Sequence, residues 1–262
     1  MIPIDTIEYK LGDFDYDYVP HYKVIILIIA SQEEPYNKFT ELWQKYMNMF
    51  SGVRSFFLYS DPNAEADITI YDNKIIHKHP EWYEPGILYK TLAGMFLCNR
   101  LFTYDYILRT NLSSFIHVPR LLTFIEDKPL IRYAAAKQNI YREGIGFLSG
   151  AGFILSKDVV GELIEASFIK KYTDIHEIKM APDDVAITML LERYIKIERF
   201  FELPRHDCDE LTDPSKIDDS IFHIRNKTEW KYHHRSIDIE NMDRQVKHFY
   251  EANINPSLRM IS

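Results

Sequence analysis

Two adjacent carboxylates, Asp183 and Asp184, stand in "APDDVAITMLLERY" directly ahead of an apolar run. Such a pair can divide its work, one member ionised as a proton acceptor and the other bonded to backbone amides. Equally, both can simply complement the exposed amides and the dipole of a helix N-terminus. A second polar group interrupts "YDYILRTNLSSFIHV", residues 104–118. There a strand-like run gives way to Arg109, Thr110, Asn111, Leu112, Ser113 and Ser114 before the apolar pattern resumes. Polar groups at the carboxyl end of a strand in an open α/β sheet are candidates for a ligand site. Asn and Ser also end strands merely by bonding to their own backbone. A third group is basic: "FHIRNKTEWKYHHR" sets His223, Arg225, Lys227, Lys231 and Arg235 close together. Arg suits bidentate phosphate contacts, and an ordinary solvated basic surface is the plainer reading.

The elements that must carry these groups follow from apolar spacing. "VIILIIA", residues 24–30, reads as a central strand, because both faces of a helix-covered parallel sheet are apolar. Ser31-Gln32-Glu33-Glu34-Pro35 breaks it, and Phe39, Leu42, Trp43, Tyr46 and Met49 then recur at helical spacing. "VRSFFLYS" is a second strand stopped by Asp61-Pro62-Asn63, and "ADITIYD" alternates like a third. "GILYKTLAGMFLCNRLF" has the length and stripe of a helix leading into the strand that ends near Arg109. This repeated β-α pattern predicts a twisted, mostly parallel sheet. Further on, a short helix is expected to continue over residues 121–125 after Pro119, and "GFLSGAGFILSKDVVGELIEA" combines a glycine-rich segment, a strand and a helix. Gly144, Gly146, Gly150 and Gly152 suit a tight bend or a close helix-strand contact. Beyond "KIERFFEL" the chain reads as irregular until "FHIRNK".

Bulk properties remove several classes. At 262 residues, with 46% hydrophobic and 27% charged residues, the chain suits a soluble globular protein with a substantial core. A net charge of -8 argues against a nucleic-acid surface. Two cysteines, Cys98 and Cys208, are too few for a disulfide framework. The first twenty residues carry Asp and Glu where a signal peptide is basic, and the longest fully apolar run falls far short of the ~20 residues of a membrane span. A cytoplasmic location is expected. Neither Gly-x-Gly-x-x-Gly nor Gly-x-x-x-x-Gly-Lys-Ser is present, and no Cys/His zinc pattern occurs.

Three segments in order, "YKTLAGMFLCNRLFTYDYILRTNLSSFI", "FLSGAGFILSKDVV" and "APDDVAITMLL", resemble the glycosyltransferases of the β-1,3-galactosyltransferase and Fringe group. Those enzymes carry a Lys-Thr-Leu helix, a strand ending in Asp-x-Asp and a Phe, a Ser-Gly-x-Gly-Tyr-x-Leu-Ser segment, and a Glu/Asp-Asp-Val motif. The counterparts here are Lys90-Thr91-Leu92, residues 110–115, residues 149–156, and Asp183-Asp184-Val185. The resemblance covers roughly residues 24 to 200. It implies a single domain over 1–262 with an α/β fold of GT-A type, a nucleotide-sugar-binding half over about 20–118 and an acceptor-binding half over about 119–262 being joined around one twisted mixed sheet. It also implies a UDP-sugar donor, a glycan or other hydroxyl-bearing acceptor, and inversion at the anomeric carbon.

By the same resemblance Asp184 is the expected general base and Asp183 positions the acceptor or the base. Donor contacts are expected from Ser31, Lys38, Asp72, Lys90, Arg109, Asn111, Ser113, Arg225 and Lys227. Tyr36 is a candidate to stack on the base; Trp82, Tyr83 and Trp230 are candidate sugar platforms. Lys90 has an alternative as a surface lysine with a snorkelling stem. Where the family has Asp-x-Asp, this chain has Asn111-Leu112-Ser113, neutral oxygens that serve Mn²⁺ or Mg²⁺ poorly. Either the metal finds other oxygens or a histidine such as His223, with Asn111 beside it, or protein cations neutralise the diphosphate. Two rival functions are a nucleotidyltransferase acting on a sugar phosphate and a degenerate fold that only binds glycan or nucleotide. The first would favour a glycine-rich basic loop after the first strand, which "SQEEPYNKF" is not. Loss of the acidic motif favours the second.

Overall fold

The computed structural model describes residues 8–11, 21–140, 146–228 and 235–251. Gly144, Trp230 and Lys231 lie outside the described residues. The described strands are β1 (Tyr9–Leu11), β2 (His21–Ile29), β3 (Val53–Ser60), β4 (Ile68–Tyr71), β5 (Lys74–His77), β6 (Thr103–Asn111), β7 (Ser114–Ile116), β8 (Ala134–Ile140), β9 (Gly146–Ser156), β10 (Arg205–Cys208) and β11 (His223–Asn226). The described helices are α1 (Tyr36–Gln44), α2 (Gly86–Leu101), α3 (Val118–Ile125), α4 (Lys157–Ile164), α5 (His176–Lys179), α6 (Asp183–Met189) and α7 (Ser236–Val246). They fall into two compact units. One holds the described residues up to Ser31, with Ser51–Asn111 and Lys128–Leu203; the other holds Gln32–Phe50, Leu112–Asp127 and the described residues from Pro204 onward.

The first unit is built on one eight-stranded sheet in the order β1-β4-β5-β3-β2-β6-β9-β8. β5, β3, β2 and β6 run parallel, as the β-α pattern predicts. The sheet as a whole is mixed, as the resemblance implies, because β4 meets β5, and β9 meets both β6 and β8, in antiparallel pairing. Strand β2 lies in the middle. Val24, Ile25, Ile26, Leu27 and Ile28 are all fully buried, and burying an aliphatic side chain is worth about 1.5–3 kcal/mol. Strands β1 and β5 and the ladder of β8 go beyond what periodicity revealed.

Helix α2 is buried over almost its entire length, from Leu88 to Cys98, against the sheet and beside α4 and α6. Close approach needs a missing side chain at Gly94: a Cβ there would lie 2.7 Å from a Leu58 methyl. Of the two readings of the glycine-rich segment the tight bend is not seen over the described residues: 146–156 form a continuous strand, β9, buried over 148–156, and Gly150 makes the close helix-strand contact, against α6.

The second unit centres on a small sheet, β10-β11-β7, with β10 and β11 parallel and β7 antiparallel to β11. Its aromatic core stacks Trp43 on Tyr46 and Tyr46 on Tyr250, at 5.2 and 4.9 Å between ring centroids. Trp43 also donates its indole N–H to the Leu112 carbonyl at 2.9 Å. Among the described residues, no helix is long and apolar enough to cross a membrane.

Candidate active site

Because β5, β3, β2 and β6 are parallel, their carboxyl ends share one edge of the large sheet, the place where open α/β sheets bind ligands. Arg109 lies two residues from the end of β6. It is 2% exposed and sits over the Phe153 ring at 5.8 Å. One terminal nitrogen of its guanidinium donates to Asn111 Oδ1 at 3.1 Å, and the other donates to Asp183 Oδ2 at 2.5 Å. Burial makes this pairing close to obligatory, since a buried charge without a partner costs several kcal/mol.

Asp183 and Asp184 open α6, as the Pro-Asp-Asp signal predicts, yet they do different things. Asp183 is buried. Burial lifts its carboxyl from 3.8 to about 6; the Arg109 guanidinium opposes this shift, and the adjacent Asp184 adds to it. Asp184 is half-buried, and each of its oxygens accepts a backbone N–H: Oδ2 from Gly150 at 2.9 Å, Oδ1 from Val185 at 3.0 Å. Thr188 fastens the helix behind it, accepting from the Leu148 N–H of β9 at 3.0 Å and donating to the Asp184 carbonyl at 2.7 Å. Gly150 is needed where it stands. A Cβ there would meet Asp184 Oδ2 at 2.9 Å, and both Asp184 Cβ and Arg109 at 3.0 Å.

Lys90 of α2 reaches the same edge. It is 1% exposed, which rules out the surface alternative, and its ammonium donates to the Ala30 carbonyl at 2.9 Å and to Glu81 at 2.5 Å. Burial lowers its pKa, and Glu81 pulls it back. Ser31 directly follows Ala30 in sequence. The exposed Tyr83 belongs to this neighbourhood too: partial burial first, then the carboxylates of Asp183 and Asp184, raise its hydroxyl pKa.

Asp72 is not brought here. β4 runs antiparallel to β5, so the turn after it falls at the opposite edge, where the Asp72 carbonyl accepts from Arg54 at the start of β3. Other expected residues belong to the second unit. Lys38 is exposed on α1. The Ser113 carbonyl accepts from the Asn226 N–H at 2.9 Å. His223 is fully buried on β11, its Nε2 3.0 Å from Ser114 Oγ. Arg225 stands 3.9 Å from Asp207, and the Lys227 N–H donates to the Cys208 carbonyl. Tyr36 and Phe39 pack under the Arg235 guanidinium, which bonds Asp238 at 2.5 Å; Arg235 therefore serves this unit's interior. Glu81, the partner of Lys90, went unnoticed in the sequence because nothing local marks a lysine nine residues on as buried.

The residues at the edge do not fit a divalent metal. Asn111 offers a neutral oxygen that already accepts from Arg109, and the nearest carboxylates are engaged by Arg109 and by backbone amides. A divalent ion ~5 Å from the guanidinium would be repelled by about 7 kcal/mol at an effective dielectric of ~20. Among the described residues no three His, Cys, Asp or Glu side chains form a metal-binding group.

No protein-family model matches the sequence, and no curated protein matches it. Solved structures do match in fold. A glycosyltransferase involved in the glycosylation of the major capsid of PBCV-1 aligns over 84% of this chain and 98% of its own, at 10% identity and a TM-score of 0.53. The galactosyltransferase LgtC, solved with donor and acceptor sugar analogues, aligns over 91% and 97% at 12% identity and a TM-score of 0.48. GlyE of Streptococcus pneumoniae aligns over 70% of this chain and 45% of its own, at 16% identity and a TM-score of 0.43. The first of these likenesses establishes the fold class, α/β of GT-A type.

Two outcomes test the geometry. Gly150→Ala should destabilise the protein by about 1–3 kcal/mol in urea unfolding, since Arg109 is buried and the Asp184 carboxylate is held by two amides; an unchanged midpoint would contradict the packing. The second concerns protons. The folded protein holds the Asp183 proton more tightly than the unfolded chain does, so this contribution to stability is complete below pH ~4 and is lost as pH rises through 6. The unfolding free energy of the wild type minus that of Asp183→Asn should therefore fall between pH 4 and pH 7. A constant difference would refute the raised pKa.

Proposed function

We propose that the chain is a glycosyltransferase that moves a sugar from a UDP-sugar to a hydroxyl of a glycan acceptor with inversion, akin to the β-1,3-galactosyltransferase and Fringe group. The observation that carries this reading is Asp184: a half-buried carboxylate at the carboxyl edge, aimed by the Gly150 and Val185 N–H groups. Two motifs of the resemblance, residues 149–156 and Asp183-Asp184-Val185, thus meet through a direct hydrogen bond. Donor binding is assigned to the half over about 20–118 and acceptor binding to about 119–262. The two free, buried thiols suit a cytoplasmic setting.

In the proposed reaction the acceptor oxygen attacks the anomeric carbon from the face opposite the diphosphate. The bond from that carbon to the diphosphate oxygen breaks, and the electron pair leaves with UDP. The acceptor proton passes to Asp184, whose oxygens keep a free lone pair after each accepts one amide. Asp183 and Arg109 position Asp184 and stay out of the proton transfer. Lys90 and Ser31 stand at the end of β2 to face the donor.

UDP release, measured over a panel of UDP-sugars and oligosaccharide acceptors, tests this reading. The wild type should turn over at least one pairing, and Asp184→Asn should lower kcat by 10²–10⁴-fold while UDP affinity changes less than threefold. Equal turnover in the variant would remove Asp184 as base. UDP binding by the wild type with no turnover on any pairing would instead favour the non-catalytic module that the missing acidic motif suggests.

A further inference from the structure

We infer that nucleotide-sugar binding at this site is independent of divalent metal, the fixed positive charge being the Arg109 guanidinium with the Lys90 ammonium beside it; this rests on the sugar-nucleotide reading above. Three observations converge. The guanidinium already occupies the end of β6, bonded to both Asn111, the amide that stands where the resemblance has a metal-binding carboxylate, and the Asp183 carboxylate. These bonds use only two of the five N–H donors of Arg109, and its buried Nε–H has no hydrogen-bond partner among the described residues. Lys90, equally buried, spends two of its three donors on Ala30 and Glu81.

Mn²⁺ cannot take the place of this guanidinium on Asp183 without stranding a buried arginine, and it cannot bind beside it without facing a like charge. Arginine also suits the planar, bidentate contacts that a diphosphate makes. Positive charge at this edge is therefore covalent and permanent. Its strength should not vary with metal supply.

Calorimetric titration of UDP and UDP-glucose into the wild type, in Mn²⁺, in Mg²⁺ and in EDTA, tests the inference without requiring turnover. Affinities within threefold across the three conditions are expected. A loss of tenfold or more in EDTA overturns the inference and leaves the transferase reading standing. Absence of nucleotide binding in every condition overturns that reading and the inference with it. Mn²⁺ titrated alone gives a second readout, and a site of micromolar affinity counts against the inference. Arg109→Lys, which keeps the charge, should weaken UDP less than Arg109→Met does, with circular dichroism confirming that both variants fold; equal losses would show that the guanidinium's charge plays no part.

Discussion

The ion pair between Arg109 and Asp183 is the constraint on which the carboxyl edge of the large sheet depends. Both groups are buried, and neither is tolerable there alone. Their pairing ties the end of β6 to the start of α6 and leaves Asn111 bonded to a cation. It also sets how close β9 must pass. Gly150 fills the gap between the two side chains with backbone only, and its N–H becomes the fixed point for Asp184. The division of labour between adjacent aspartates follows from this pair, since one is committed to arginine and the other is left half-exposed.

The same arrangement explains why the strand-end polar cluster is neutral. With a guanidinium built into the strand, a second carboxylate at position 111 would compete with Asp183 for the same positive charge. Asn accepts one hydrogen bond without demanding a counter-charge. Lys90 repeats the solution one strand over: a buried cation satisfied by one carboxylate and one strand-end carbonyl. A GT-A fold is thus fitted with fixed cations at the edge where its strands end.

Much of this was legible in the residues. The uniform apolar run of β2, the 3,4-spaced stripe of α2 and the Pro-Asp-Asp start of α6 each carry their structure locally, so each was readable. What stayed hidden depends on partners distant along the chain. Arg109 and Asp183 lie 74 residues apart, and nothing near either announces the other. Asp72 does follow a strand, but strand direction is a property of the sheet, and an antiparallel β4 sends it to the wrong edge. β5 and β10 have four residues each, and pairing with β3 and β11 rather than any sequence pattern makes them strands. For Lys90 the sequence left a donor contact and a snorkelling surface lysine both open, because its burial is decided by Glu81 and by the end of β2.

A double-mutant cycle on the central pair tests the account most directly. Urea unfolding at pH 7.5 would compare the wild type, Arg109→Met, Asp183→Asn and the double variant. Arg109→Met should destabilise the protein, because it leaves Asp183 without its counter-charge and forces the carboxyl to bind a proton, and the double variant should recover much of that loss, giving a coupling of about 1 kcal/mol or more. Costs that add to within about 0.5 kcal/mol would mean that the pair does not organise this edge.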